Sequence, residues 1–231
     1  MSGVAVSRGP LLIVFAKRPE AGAVKTRLCP PFTPVQAAEF YACLLEDVLE
    51  TMARAAPAIG LSLRLAIHPD EAVESPGVPV PAGFSVVGQR GPGLSERMEH
   101  AIAEAAAEGF GPILVRGSDS PALSGAVLEA ALAELETADL VICPDLDGGY
   151  NLVGLCRPAP GIFDHAMSTA SVLDDTLAHA ARLGLRHVVL SEGFDIDTLD
   201  DLRVLCSATA TMGSCSRTWA YLDKNDLWPR D

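Results

Sequence analysis

The sequence has no C-x-x-C pair among its six cysteines, at 29, 43, 143, 156, 206 and 215, and no dense spacing that would build a disulfide framework. Reduced thiols follow, and metal-thiolate chemistry drops out. The histidines at 68, 100, 165, 179 and 187 lack zinc-ligand spacing and read as surface or satisfied core positions. Gly91-Pro92-Gly93 has no third glycine at the dinucleotide spacing and no G-x-S-x-G motif occurs, so dehydrogenase and serine-hydrolase readings recede. No apolar run is long enough to cross a bilayer. The run Leu11 to Ala16 is too short for a signal peptide and leads into Lys17 and Arg18, so the expectation is a cytoplasmic protein without membrane insertion. Basic charge is scarce too. A net charge of −13 argues against nucleic acid as a general partner, because that binding needs a cationic surface to displace counterions.

What is present suits a globular enzyme. The 231 residues are 49% hydrophobic and 20% charged, with no fixed-period repeat, as expected of one α/β domain over residues 1–206 with a C-terminal extension at 207–231. A continuous apolar run at 11–16 and apolar segments at 61–67, 84–87, 112–115, 140–143 and 187–190 read as strands of a mainly parallel sheet, the first covered on both faces. Helical stretches alternate with them. Thr33-Pro34-Val35-Gln36 is a helix start, with packing expected through Phe40, Leu44, Val48 and Met52; further helices are expected from Ser95, Ser124, about Ser171 and about Leu199. The segment after Ser207 has weak periodicity and reads as an extended tail, packed over the domain or reaching toward a partner.

In such sheets ligands bind beyond the carboxyl ends of the strands, which is where the polar clusters fall. The first, Lys17 to Arg27, is a local net charge of +3 on a chain otherwise at −16, and it points to a small anionic ligand. Gly22 lets backbone approach an anion and Lys25 and Arg27 can neutralise phosphate, although Val24 stands where a Walker loop requires glycine. A solvated basic loop is the plain alternative. In the second, Asp119 of Gly117-Ser118-Asp119-Ser120-Pro121 can hold Mg²⁺ or Mn²⁺ or can simply cap the next helix. The third, Asp145-Leu146-Asp147-Gly148-Gly149-Tyr150, is first a tight turn, and its glycines could also open space for a sugar or acceptor. Last, Asp197 or Thr198 reads as a helix cap, with Asp197 alternatively folding back toward Asp119 as a second metal carboxylate.

With these clusters in this order the chain resembles the DUF2064 family, glycosyltransferase-like proteins of the GT-A nucleotide-diphospho-sugar transferase superfamily. The likeness spans about residues 10 to 205 and is carried by Ala16-Lys17-Arg18-Pro19 with Gly22 to Leu28, Gly117 to Leu123, Asp147 to Tyr150, and Asp195-Ile196-Asp197-Thr198. It implies a three-layer α/β/α GT-A-like fold with a mainly parallel mixed sheet. Ala16, Lys17, Gly22, Lys25, Thr26 and Arg27 would hold the nucleotide and its phosphates. Asp119 and Asp197 would hold Mg²⁺ or Mn²⁺; Asp119, Lys25 and Asp147 would be catalytic; Gly148, Gly149, Tyr150, Ser168 and Thr169 would line the acceptor side. The function expected is glycosyl transfer from a nucleotide-sugar to a small-molecule acceptor. Nucleotidyl transfer from an NTP to a phosphorylated small molecule, and a non-catalytic nucleotide-binding protein, are the alternatives. A homodimer is compatible with all three.

Overall fold

The computed structural model describes residues 7–121, 123–167, 169–208 and 213–229. Its strands β1 (Leu11–Lys17), β2 (Ser62–His68), β3 (Phe84–Gly88), β4 (Ile113–Arg116), β5 (Leu140–Pro144), β6 (Tyr150–Leu155) and β7 (His187–Val189) form one sheet in the order β3-β2-β1-β4-β6-β5-β7. Neighbours are parallel except where β6 runs antiparallel between β4 and β5. The helices are α1 (Pro34–Ala55), α2 (Leu94–Ala107), α3 (Gly125–Glu134), α4 (Val172–Arg182), α5 (Leu199–Ser207) and α6 (Ser216–Asn225). The expected mainly parallel mixed sheet between helical layers is what forms.

Strand β1 shows why. Its side chains alternate between faces, and both faces are apolar. Leu12, Val14 and Ala16 pack toward α1 and α3, whereas Leu11, Ile13 and Phe15 pack toward α2 and the partly buried Leu173 and Leu177 of α4. Helix α1 starts with a reciprocal capping box: Gln36 N–H donates to Thr33 Oγ1 at 3.2 Å and Thr33 N–H to Gln36 Oε1 at 2.9 Å. Along it, Val48 and Met52 face the sheet while Phe40 and Leu44 join a third core with Leu28, Leu202, Leu205 and Leu222. That third core holds α5 and α6 against α1.

One helix start differs from the sequence reading. Gly93 caps α2, and Ser95 donates instead to the His165 carbonyl at 3.2 Å. Ser124 occupies the cap position of α3 without a side-chain cap bond. The expected extended tail is also corrected, because residues 216–225 form a helix. The reason lies on another element: Asp47 of α1, 3% exposed, accepts from the N–H groups of Arg217 and Thr218 at 3.2 and 2.8 Å and from the Thr218 hydroxyl at 2.9 Å. One buried carboxylate thus satisfies two of the first-turn amides of α6 and complements its dipole. Arg217 turns back to Glu46 at 3.2 Å and Glu50 at 2.5 Å. Among the described residues no helix is long and apolar enough to cross a membrane.

Asp47→Ala leaves those donors buried and unpaired. It is expected to lower unfolding stability by about 2–4 kcal/mol in urea melts, because bonds to a charged acceptor are lost together with the cap. A loss below about 0.5 kcal/mol would show that α6 holds its place by apolar packing alone.

Candidate functional site

The carboxyl ends of β1, β4 and β5 and the start of β6 open on a cavity of ≈700 Å³. The loop leaving β1 turns at Gly22, whose φ of 81° suits glycine. Val24 and Leu28 bury themselves in two different cores, and between them Lys25 adopts the left-handed region at φ 48°. For a residue with a Cβ that conformation costs about 1 kcal/mol. It turns Lys25 inward, leaving its side chain 3% exposed.

Lys25 Nζ lies 2.8 Å from Asp119 Oδ1 and 2.8 Å from Asp197 Oδ1. The bond to Asp197 is well aligned, while Asp119 Oδ1 is buried with the charge beside it but no donor pointed at it. Arg27, mostly exposed, approaches Asp197 Oδ2 at 3.7 Å. Two acids from distant parts of the chain therefore meet on one cation.

Local structure explains the meeting. Arg116, 1% exposed at the end of β4, donates from Nε to the Gly117 carbonyl at 2.8 Å and from Nη2 to the Ser120 carbonyl at 2.7 Å, which folds the 117–120 loop around the guanidinium. Burial pulls its pKa down to about 10, still charged at neutral pH. The Ile196 N–H then donates to the Asp119 carbonyl at 3.0 Å and brings the 195–197 segment alongside. Thr198, not Asp197, is the cap of α5, in a capping box with Asp201 that also takes the Asp197 N–H at 2.9 Å. The Asp197 carboxylate is thereby left to face Lys25.

Burial works against a charged Lys25, but the carboxylates of Asp119 and Asp197 outweigh it and hold the ammonium well above the ordinary lysine range. Asp197 answers in kind: burial alone would raise it, and Lys25 followed by Arg27 brings it below the usual carboxylate range. Behind them, Tyr41 OH accepts from the Lys17 N–H at 3.0 Å and lies 2.7 Å from Ser118 Oγ; burial and then Asp119 keep this phenol protonated. A deeper acid layer follows. Asp145 Oδ1 accepts from the N–H groups of Leu146 at 2.8 Å and Asp195 at 3.0 Å, and Ser120 donates to Asp195 Oδ1. Burial first, then the neighbouring carboxylates, raises both acids above the ordinary range.

The cavity wall includes Ala16, Lys17, Lys25, Thr26, Arg27, Asp119, Asp147, Gly149, Tyr150, Thr169 and Asp197 from the sequence reading. Gly22 and Gly148 are outside the wall. A Cβ on Gly148 would come within 2.2 Å of the Ala170 carbonyl, so this glycine serves close backbone packing and opens no space for a sugar. Asp147 Oδ1 accepts from the Gly149 N–H at 2.9 Å, the tight-turn reading. Ser168 lies outside the described residues. The sequence reading missed Tyr41, Gln89, Arg97 and Arg116 as wall residues. Arg116 carried a signal, an arginine at the end of a buried strand; the others lie in elements without a polar cluster.

Residues 51–169 match the profile of the DUF2064 family, described as uncharacterized protein conserved in bacteria. No curated protein matches the chain. Among solved structures, a "putative nucleotide-diphospho-sugar transferase" from Desulfovibrio desulfuricans G20 is 30% identical, covers 96% of each chain and superposes with a TM-score of 0.82. Rv0371c from Mycobacterium tuberculosis H37Rv is similar at 21% identity over 87% of this chain and 99% of its own, with a TM-score of 0.55. The 4-diphosphocytidyl-2C-methyl-D-erythritol synthase from Anaerococcus prevotii DSM 20548 is 11% identical over 83% and 92%, with a TM-score of 0.53, and shares the fold alone. By its profile match and by a relative aligned over nearly its whole length, the chain belongs to the DUF2064 family.

Proposed function

We propose that this protein is a metal-dependent transferase acting on a nucleotide, and that its reaction is nucleotidyl transfer to a small phosphorylated molecule. The observation that carries the reading is the single cation shared by Asp119 and Asp197, with Arg27 alongside, at the carboxyl edge of a mainly parallel sheet. Lys25 and Arg27 supply charge for phosphate oxygens as negative charge builds during transfer.

The residues fit a divalent ion. The two carboxylates already converge on one positive charge, and Asp119 Oδ1 is a buried oxygen without an aligned donor. Among the described residues no group of three or more His, Cys, Asp or Glu side chains gathers as a metal cluster. That suits Mg²⁺ or Mn²⁺ held by one or two carboxylates and completed by substrate phosphates. When bound, the ion would screen phosphate charge and stabilise the leaving group.

Nucleotidyl transfer is preferred over the glycosyl transfer expected from the resemblance because of what the cavity does with its acids. Its wall has no histidine and no glutamate among the described residues. Asp119 and Asp197 are engaged with Lys25, Asp195 with Ser120, and Asp145 with two backbone amides. A hydroxyl acceptor often needs a general base; a phosphate nucleophile arrives ionised and does not. A substrate phosphate oxygen would bond to the α-phosphorus of the NTP while the bond to pyrophosphate breaks, and pyrophosphate leaves with the electron pair. Glycosyl transfer is the second reading, favoured by the described function of the Desulfovibrio relative and by the exposed Asp147 on the cavity wall.

Incubating the protein with NTPs, Mg²⁺ and a panel of small organic phosphates should release pyrophosphate. Asp119→Ala should reduce that release at least about a hundredfold with circular dichroism unchanged. Release of nucleoside diphosphate from nucleotide-sugars, with none of pyrophosphate, would hand the function to the second reading. Lys25→Met tests the shared site from the other side. Without nucleotide it should bind Mn²⁺ about tenfold or more tightly than the parent protein, because the competing ammonium is gone. It should also lose more affinity for an NTP than for the bare nucleoside. Unchanged Mn²⁺ affinity in spin-resonance titrations would remove the two acids from the metal site.

A further inference from the structure

Two cations of the cavity wall, Arg97 and Lys17, stand outside the ion pairs of Lys25, Asp119 and Asp197, and for Lys17 the family resemblance implies a phosphate contact. Arg97 stands in the first turn of α2, its N–H donating to the Gly93 carbonyl at 3.1 Å. Just upstream, Gln89 Nε2 donates to the carbonyls of Ala16 at 3.0 Å and Ala66 at 2.8 Å, which pins the connection between β3 and α2 onto the ends of β1 and β2. Arg97 Nη1 lies 3.1 Å from His68 Nδ1. A guanidinium keeps its protons, so Nδ1 is the acceptor and His68 is held neutral. Burial, then Arg97 and Lys17, lowers the His68 pKa in the same sense, against the weaker opposing pull of Glu71 and Asp70. Arg97 Nε is buried with no acceptor at all.

Lys17 stands directly across from His68 in the β1–β2 register and lines the same cavity. Its charge acts on both His68 and Asp197. Among the described residues neither Arg97 nor Lys17 has a carboxylate within 4.0 Å. The other cationic wall residues are committed: Lys25 and Arg27 to acids, Arg116 to backbone carbonyls. Arg97, half-buried with an unpartnered Nε, and the exposed Lys17 give one cavity of a chain at −13 a pair of cations open to an anionic ligand.

We propose that Arg97 and Lys17 form a second anion-binding locus that takes a phosphate group, apart from the cluster of Lys25, Asp119 and Asp197. The locus rests on the reading of the cavity as a nucleotidyl-transfer site. Its phosphate is supplied either by the outer part of an NTP chain or by the second substrate. The planar fork of Arg97 offers paired donors to two phosphate oxygens, and its bond to neutral His68 fixes the plane of the fork.

Calorimetric titration of the full chain with pyrophosphate, without metal, tests the locus independently of turnover. Arg97→Gln and Lys17→Gln should each weaken pyrophosphate binding by about tenfold, the effect of losing a charge-assisted bond, and leave the affinity for guanosine and uridine unchanged. Arg97→Lys should fall between. Unchanged pyrophosphate affinity in both glutamine variants, or an equal loss for the nucleosides, overturns the proposal, the second outcome marking a base contact. Lys17→Gln, at an exposed position, keeps the test valid if Arg97→Gln misfolds. Comparing NTP with NMP, and with glycerol phosphate, identifies the source: a loss specific to NTP assigns the phosphate to the nucleotide, and a loss specific to glycerol phosphate assigns it to the second substrate. If no pyrophosphate is released from NTPs yet Arg97→Gln still loses pyrophosphate binding, the transfer reading fails and the locus stands. Full turnover with intact pyrophosphate binding in both glutamine variants is the reverse result.

Discussion

The site hangs on one buried ammonium. Lys25 is almost without solvent, in a backbone conformation that side-chain-bearing residues avoid, and it is stable there only because two carboxylates stand 2.8 Å away. Removing solvent from an ion costs several kcal/mol, and the attraction has to offset that cost. Both acids contribute to the offset. Three stretches of chain that share no secondary-structure element, the loop after β1, the loop after β4 and the approach to α5, are thereby drawn to one point. Everything else in the cavity is arranged around that point.

The supporting layer is chemically different from the site it supports. Arg116 spends its donors on backbone carbonyls, and Asp145 spends its acceptor on backbone amides. Such bonds fix loop shape and leave little free charge. Lys25, Asp119 and Asp197, by contrast, are held by one another, and Arg97 by His68. The first group is rigid by satisfaction; the second is able to change partners when phosphate or a metal arrives.

The elements were legible where the sequence repeats a simple physical period. The six-residue apolar run of β1 and the capping box at Thr33 are read directly, because burial on both faces and reciprocal amide bonding leave unambiguous local signatures. Helix α6 was not legible, since its cap is supplied by Asp47 some 170 residues earlier. Asp119 and Asp197 were legible as candidates but their meeting was not: spacing along a chain holds no information about Ile196 pairing with the Asp119 carbonyl. Gly148 misled for the opposite reason. An Asp-Gly-Gly turn looks like open space, whereas the space beside Gly148 is filled by another segment's backbone. Arg97 was invisible because its significance is a buried Nε without an acceptor, which only the folded chain reveals.

The reversal of β6 has a geometric consequence for access. Had it been parallel, β5 would have left the sheet at the cavity edge and β6 would have re-entered from the far side, as a crossover requires. Being antiparallel, β5 and β6 join at the cavity edge through a short turn, and β6 runs away from it between β4 and β5. The chain must then travel back toward the cavity before α4 begins at Val172. This returning stretch delivers Met167, Thr169 and Ala170 to the rim from outside the sheet. The mouth is therefore bounded on one side by strand ends and on the other by a long connector with few ladder bonds, so one jaw is set by backbone pairing and the other by the side-chain packing of Ile162 and Phe163 against the sheet.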